Sequence, residues 1–159
     1  MNRILAIDDK ADNLVVLRAM MKMLLPECVL LQALSGEEGL RIAKEQRPDT
    51  ILLDIFMPGM DGYETTIRLK ADPETASIPV ILLTAAENTA ANRTAGLKVG
   101  ADAFLSKPIE EEELVAQVRA MLRVKESETA LKMKMDVLED LVEQRTKELK
   151  ESANRLALT

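Results

Sequence analysis

The sequence predicts an α/β fold: a doubly wound sheet of five parallel strands with five helices, the last extended into a long C-terminal helix. Two observations predict it. Short, almost continuously apolar runs alternate with segments of helical spacing, five of each, as expected of parallel strands covered on both faces. The apolar runs also end, one after another, in polar residues of complementary chemistry, at the edge where doubly wound sheets keep their ligands.

The elements follow in order. Ile4–Ile7 is the first strand-type run. A helix is expected from about Asp12 to Leu25, with Val15, Ala19 and Lys22 on one side and Leu14, Leu17, Met21 and Leu24 on another. Val29–Leu31 is the second strand, followed by a helix over Gly36–Glu45 that buries Leu40 and Ala43. Ser35 opens this helix and Glu38 follows three residues later, the pattern of a capping box. Thr50–Leu53 and Val80–Leu83 are the third and fourth strands, with helices near Tyr63–Leu69 and Ala90–Val99 after them. Ala103–Leu105 is the fifth strand. The last helix starts after Pro108 with four successive glutamates, which suit the positive end of a helix dipole.

Composition bounds the function. At 159 residues the chain has room for one domain and an appendage, assigned here to residues 1–122 and 123–159. It is 47% hydrophobic but only 2% aromatic, so the core is aliphatic. No run approaches the roughly 18 apolar residues of a membrane span, and no charged-then-apolar leader is present, so a cytoplasmic protein without membrane contact is expected. Cys28 lies alone in an apolar stretch and reads as a buried, inert thiol. Residues 1–122 carry 13 Lys/Arg against 19 Asp/Glu and residues 123–159 carry 8 of each, so neither part has the basic footprint of a nucleic-acid binder. Histidine is absent, which excludes histidine metal ligands, histidine bases and a phosphohistidine within this chain.

The strand ends carry the chemistry. Asp8 and Asp9 end the first strand, Asp54 the third and Thr84 the fourth, while the fifth runs into Ser106, Lys107 and Pro108. Any one of these aspartates taken singly reads as a cap or turn residue. Together they place three carboxylates, a hydroxyl and one ammonium around a single crevice. Three like charges are costly to crowd, and one lysine does not neutralise them. A hard divalent cation does, and Mg2+ fits because it takes few carboxylates and bridges to phosphate oxygens. Asp54 is then a carboxylate nucleophile toward a phosphoryl group, with Mg2+ and Lys107 on the equatorial oxygens and the Thr84 hydroxyl donating to the attached phosphoryl group.

The segments "ILAIDDK", "ILLDIFMPGMDGYE", "IPVILLTA" and "GADAFLSKPI" resemble, in order and spacing, the signature segments of response-regulator receiver domains, over residues 1 to about 122. The resemblance implies a flavodoxin-like fold and two-component signalling. It makes Asp54 the phosphoacceptor, Asp9 a direct Mg2+ ligand and Asp8 a ligand acting largely through water, with the Phe56 carbonyl completing the set. It makes Lys107 the phosphate-pairing lysine with a cis bond to Pro108, and Thr84 and Phe104 a switch pair. Phe56 and Ala86 occupy the positions that tune phosphoryl lifetime, and neither can orient an attacking water. The implied partner is a sensor histidine kinase or a phosphotransfer protein, and the domain is a phosphoacceptor rather than an enzyme with its own metabolic substrate. A haloacid-dehalogenase-type phosphatase is the enzymatic alternative, but its nucleophile opens an Asp-x-Asp motif on the first strand. A scaffold with a degenerate receiver is the other.

In the tail, one heptad register places Leu114, Met121, Met135, Val142, Leu149 and Leu156 at a, and Val124, Leu131 and Leu138 at d. Gln117, Glu128, Arg145 and Ser152 interrupt it. A parallel homodimeric coiled coil is expected, supported by i,i+4 pairs such as Glu143–Lys147. The stretch "LEDLVEQRTKELKESANRLAL" resembles the signalling helices that precede output modules, among them histidine kinases, diguanylate cyclases and cyclic-dinucleotide phosphodiesterases, the last being preferred. The pattern runs to the final residue, so the chain is expected to be part of a longer regulator.

Overall fold

The computed structural model describes residues 1–85 and 90–157, apart from the side chain of Asn92. Strands β1 (Asn2–Ile7), β2 (Cys28–Ala33), β3 (Thr50–Asp54), β4 (Val80–Thr84) and β5 (Ala103–Ser106) alternate with helices α1 (Ala11–Leu24), α2 (Gly36–Gln46), α3 (Gly62–Ala71), α4 (Ala90–Lys98) and α5 (Glu111–Ala157). The strands form one sheet in the order β2-β1-β3-β4-β5, every pairing parallel. The expected doubly wound fold with a long final helix is the fold observed.

The two faces of the sheet bury two separate clusters. Ile4, Ala6, Leu52, Ile81, Leu83 and Leu105 point to one side, where they meet Leu14, Leu17 and Met21 of α1 and Leu114, Val118, Met121 and Leu122 of α5. Leu5, Ile7, Ile51, Leu53, Val80 and Leu82 point to the other, against Ala43 of α2 and Leu69 of α3. The alternation follows from the two-residue period of a strand, and the burial of both faces explains why the strands read as continuous apolar runs. All five residues of β3 and all five of β4 are buried. In α1, Leu14, Leu17 and Met21 face inward while Val15 and Val16 are exposed, so the helical spacing separates core from surface as expected.

Three details differ from expectation. The Ser35 hydroxyl oxygen accepts from the Glu38 N–H at 3.1 Å, but the Glu38 carboxylate accepts from the Leu34 N–H at 3.1 Å, one residue before the cap. Cys28 is half-buried rather than buried, because it begins the edge strand β2. Burial, and then the Glu27 carboxylate, still push its thiol up, which keeps it in the unreactive protonated form. Leu114 and Met121, given the first two a positions of the tail heptads, instead close the core under the sheet. The chain divides into two compact units, Met1–Lys125 and Glu126–Thr159. Within the second, every described residue is exposed, including Leu131, Met135, Leu138, Val142 and Leu149. No helix among the described residues is long and apolar enough to cross a membrane.

Candidate functional site

The strand order reverses direction between β1 and β3, and there the chain delivers its carboxylates. Asp54 is the last residue of β3, and Asp8 and Asp9 directly follow β1. Carboxylate oxygens of all three lie within 4.8 Å of one another. Lys107, placed by the end of β5, reaches into the same crevice, with its Nζ 3.2 Å from Asp54 Oδ1 and 3.3 Å from Asp8 Oδ2. Its own backbone is held by a 2.8 Å hydrogen bond from its N–H to the Thr84 carbonyl, and its bond to Pro108 is cis.

The three carboxylates are not equivalent. Asp8 is saturated: Oδ1 accepts from the Lys10 N–H at 2.9 Å, while Oδ2 accepts from Asn13 Nδ2 at 3.0 Å and from Lys107. Asp54 has Lys107 on one oxygen. Its carboxyl is raised above its ordinary value chiefly by burial; Lys107 opposes the shift, and the Asp8 and Asp9 charges add to it. Asp9 differs again, for its Oδ1 is buried and has no hydrogen-bond partner among the described residues. A buried carboxylate oxygen without a donor is costly unless something cationic meets it. An orphaned hard oxygen ligand beside two more carboxylates, in a crevice with one ammonium, fits a small divalent cation of the Mg2+ type.

Thr84 is buried at the end of β4, and its hydroxyl donates to the Leu105 carbonyl at 3.5 Å. Its register partner on β5 is Ser106, and Leu82 faces Phe104. The two-residue period therefore puts the Thr84 and Phe104 side chains on the same face of the sheet, diagonal to each other. Phe104 is partly buried against the second core cluster. Phe56, two residues beyond Asp54, is 62% exposed. Ala86 lies outside the described residues.

Two contributors escaped the sequence reading. Asn13, in the first turn of α1, orients Asp8; its only signal was a short amide five residues after an acidic strand end. Gly62 opens α3, where an added Cβ would stand 2.5 Å from the Asp54 carbonyl oxygen and 2.7 Å from Ile55 Cα. Its N–H also donates to the Ile55 carbonyl at 2.8 Å, so the loop folds back tightly onto the end of β3.

The sequence profile of the response regulator receiver domain matches residues 4–119. This chain belongs to that family. Among curated relatives, PilH of Pseudomonas aeruginosa is 36% identical over 122 residues, covering 77% of this chain and 98% of PilH. The response regulator PleD of Caulobacter vibrioides is 42% identical over 123 residues, again 77% of this chain but only 26% of PleD. The chain thus spans about a quarter of that longer regulator. Among solved structures, the receiver domain of the sensor histidine kinase PA1611 from Pseudomonas aeruginosa superposes with a TM-score of 0.68 at 30% identity, covering 76% of this chain and 97% of that one. That structure has a magnesium ion coordinated in its active-site cleft. The Vibrio cholerae chemotaxis protein CheY4 gives a TM-score of 0.70 at 26% identity, covering 76% of this chain and 98% of that one. Receiver domains are signalling domains that bind Mg2+ at an acidic site and interact with histidine kinases or phosphotransfer proteins.

Proposed function

We propose that this receiver accepts a phosphoryl group on Asp54 from a phosphohistidine partner. The supporting observation is the convergence of Asp8, Asp9, Asp54 and Lys107 on one crevice with an oxygen of Asp9 left unpaired. In the transfer an Asp54 carboxylate oxygen attacks phosphorus, the O–P bond forms as the N–P bond of the donor breaks, and the donor imidazole leaves with the electron pair. Mg2+, when bound, supplies positive charge for the phosphoryl oxygens. Asp9 and Asp54 would hold it directly through their carboxylates, with the Phe56 backbone carbonyl as a third ligand. Asp8, already saturated by Lys10, Asn13 and Lys107, would act on the ion through water. Lys107 pairs with the phosphoryl oxygens, and the Thr84 hydroxyl turns from the Leu105 carbonyl to donate to them. An apolar pocket of about 300 Å³ beside Asp8 and Lys107, lined by Leu17, Met20 and Pro108, gives the phosphodonor protein a grip next to the acceptor.

Thr84 and Phe104 form the switch: as the hydroxyl leaves, the Phe104 ring follows into the space and repacks the α4–β5–α5 face. Phe56, two residues beyond Asp54 and exposed, carries no group that could orient an attacking water, so the phosphoryl group on Asp54 is long-lived; Ala86 is proposed to be equally inert. The chain does no further chemistry, and its domain boundary falls near residue 122. The exposed apolar stripe of residues 126–157 pairs with the same stripe of a second copy and leads to an output module, for which a cyclic-dinucleotide phosphodiesterase is the preferred type.

The deciding experiment titrates beryllofluoride, a phosphoryl mimic, with and without Mg2+, into the wild type and Asp54→Asn. A Mg2+-dependent adduct in the wild type only is expected. No adduct in the wild type defeats the assignment.

A further inference from the structure

The tip of the Phe104 ring rests on the backbone of α4 at Gly96. A Cβ placed on Gly96 would overlap Cε1 of the ring, stand 2.5 Å from its Cζ, and lie 3.1 Å from Cδ1 of Leu82. No side chain at position 96 is compatible with the ring where it now lies. Something has to move, and the two neighbours are not equally free to do so. The end of α4 is tied down by hydrogen bonds from the Ala101 N–H to the Gly96 carbonyl at 3.0 Å and from the Gly100 N–H to the Leu97 carbonyl at 3.1 Å. Leu82 belongs to a wholly buried strand. The Phe104 ring is only partly buried and has other staggered positions about χ1. The ring is what yields.

The ring sits against Gly96 while the Thr84 hydroxyl is directed at the Leu105 carbonyl, its position before any phosphoryl group draws it away. The bare backbone at Gly96 is thus the seat of the ring in its resting position. We propose that Gly96 is a positioning residue for the switch: by having no side chain it stabilises the resting rotamer of Phe104, and so sets how much free energy phosphorylation must supply. This rests on the reading of Thr84 and Phe104 as the switch pair. A methyl group at position 96 raises the free energy of the resting state and leaves the displaced state untouched. By linkage, any ligand that favours the displaced state then binds more tightly, up to the limit set by its preference between the two.

The test uses Gly96→Ala, Phe104→Leu and the double variant, with beryllofluoride and Mg2+ as the probe. Gly96→Ala is expected to bind the probe several-fold more tightly than wild type. The gain should vanish when Gly96→Ala is made in the Phe104→Leu background, because the shorter side chain no longer reaches position 96. A spectroscopic signature separates this from a general loosening of α4. The chain has only two phenylalanines, so phenylalanine labelled at the ring Cζ alone gives two NMR signals, and Phe104 is identified by its loss in Phe104→Leu. In Gly96→Ala without ligand, that signal should already be displaced in the direction the probe displaces it in wild type. Unchanged or weaker probe binding, an unmoved ring signal, or an affinity gain that survives in the double variant would each overturn the proposal. The phosphoacceptor reading fails separately, if wild type forms no adduct. The switch reading fails if the adduct forms and the Phe104 signal stays still. If Gly96→Ala is too unstable to titrate, the double-variant cycle is read on unfolding: a loss confined to the Phe104 background supports the contact, and an equal loss in both backgrounds overturns it.

Discussion

At the scale of single residues, Asp54 shows most plainly how function opposes stability. Burial, reinforced by Asp8 and Asp9, raises its carboxyl above the ordinary value, so the ionised form needed for attack is disfavoured in the folded protein. A group raised on folding is accommodated best when protonated. Its penalty is absent below the unfolded value and grows as pH rises through the folded one. In metal-free buffer Asp54→Asn should therefore be more stable than wild type at neutral pH. The gap should close as pH falls through the folded value of Asp54. Thermal unfolding of both proteins from acid to neutral pH checks this, and a gap that does not narrow toward acid contradicts it. Asp9 makes a complementary prediction. Its unpaired oxygen gains most from a cation, so Asp9→Asn should weaken Mg2+ binding on the order of tenfold or more. Calorimetric titration of Mg2+ gives the answer directly. Phe56→Asn, in turn, should shorten the lifetime of the phosphoryl group, read as release of inorganic phosphate after phosphorylation; an unchanged, rapid release would remove the role given to the ring.

At the scale of elements, the loop between β3 and α3 and the second half of α5 make different demands. Gly62 allows the start of α3 to lie directly on the end of β3, and what a Cβ would strike there is backbone, which has no alternative rotamer. Gly62→Ala should cost about 2 kcal/mol or more in urea denaturation and disturb Asp54 at the same time. Gly96 is the opposite case, because its obstruction is a movable ring. In residues 126–157 the helix exposes Leu131, Met135, Leu138 and Val142 along one stripe. A helix with that much bare apolar surface is better stabilised by a partner than by water. Replacing both Leu138 and Val142 by glutamate should convert the proposed dimer to monomer in sedimentation analysis at micromolar concentration. An unchanged mass would show that the stripe is not the contact.

For the whole molecule, the core of residues 1–125 is complete on both faces of its sheet without the tail. A chain ending at Lys125 should keep its affinity for beryllofluoride and Mg2+ to within about twofold while losing the proposed self-association. Coupled loss of both would mean that the site depends on the tail. Much of this architecture was readable beforehand. Strand runs such as Thr50–Leu53 and Val80–Leu83 were legible because burial on both faces demands unbroken apolar character over a few residues. The boundaries of α1 and α2 were legible because Leu14, Leu17 and Met21, and the Ser35 cap, are local signals. The heptad register was readable only in part. Leu114 and Met121 obey the same seven-residue spacing as Val142 and Leu149 but face the sheet, and spacing alone does not say which neighbour a stripe will meet.

The sequence by itself determined the chemistry available: three carboxylates, a hydroxyl and a lysine at successive strand ends, no histidine, and helices and strands written in periodicities of a few residues. Those are properties of neighbours along the chain. Only the tertiary structure decided how the groups divide the work. Asp8 is saturated by Asn13 and Lys107, Asp9 is left with an unpaired oxygen, and Phe104 rests on the bare backbone of Gly96. Lys107 lies 99 positions from Asp8, and whether its ammonium meets one carboxylate or another is set by strand register and packing. No local pattern carries that information, because it does not exist until the strands are side by side.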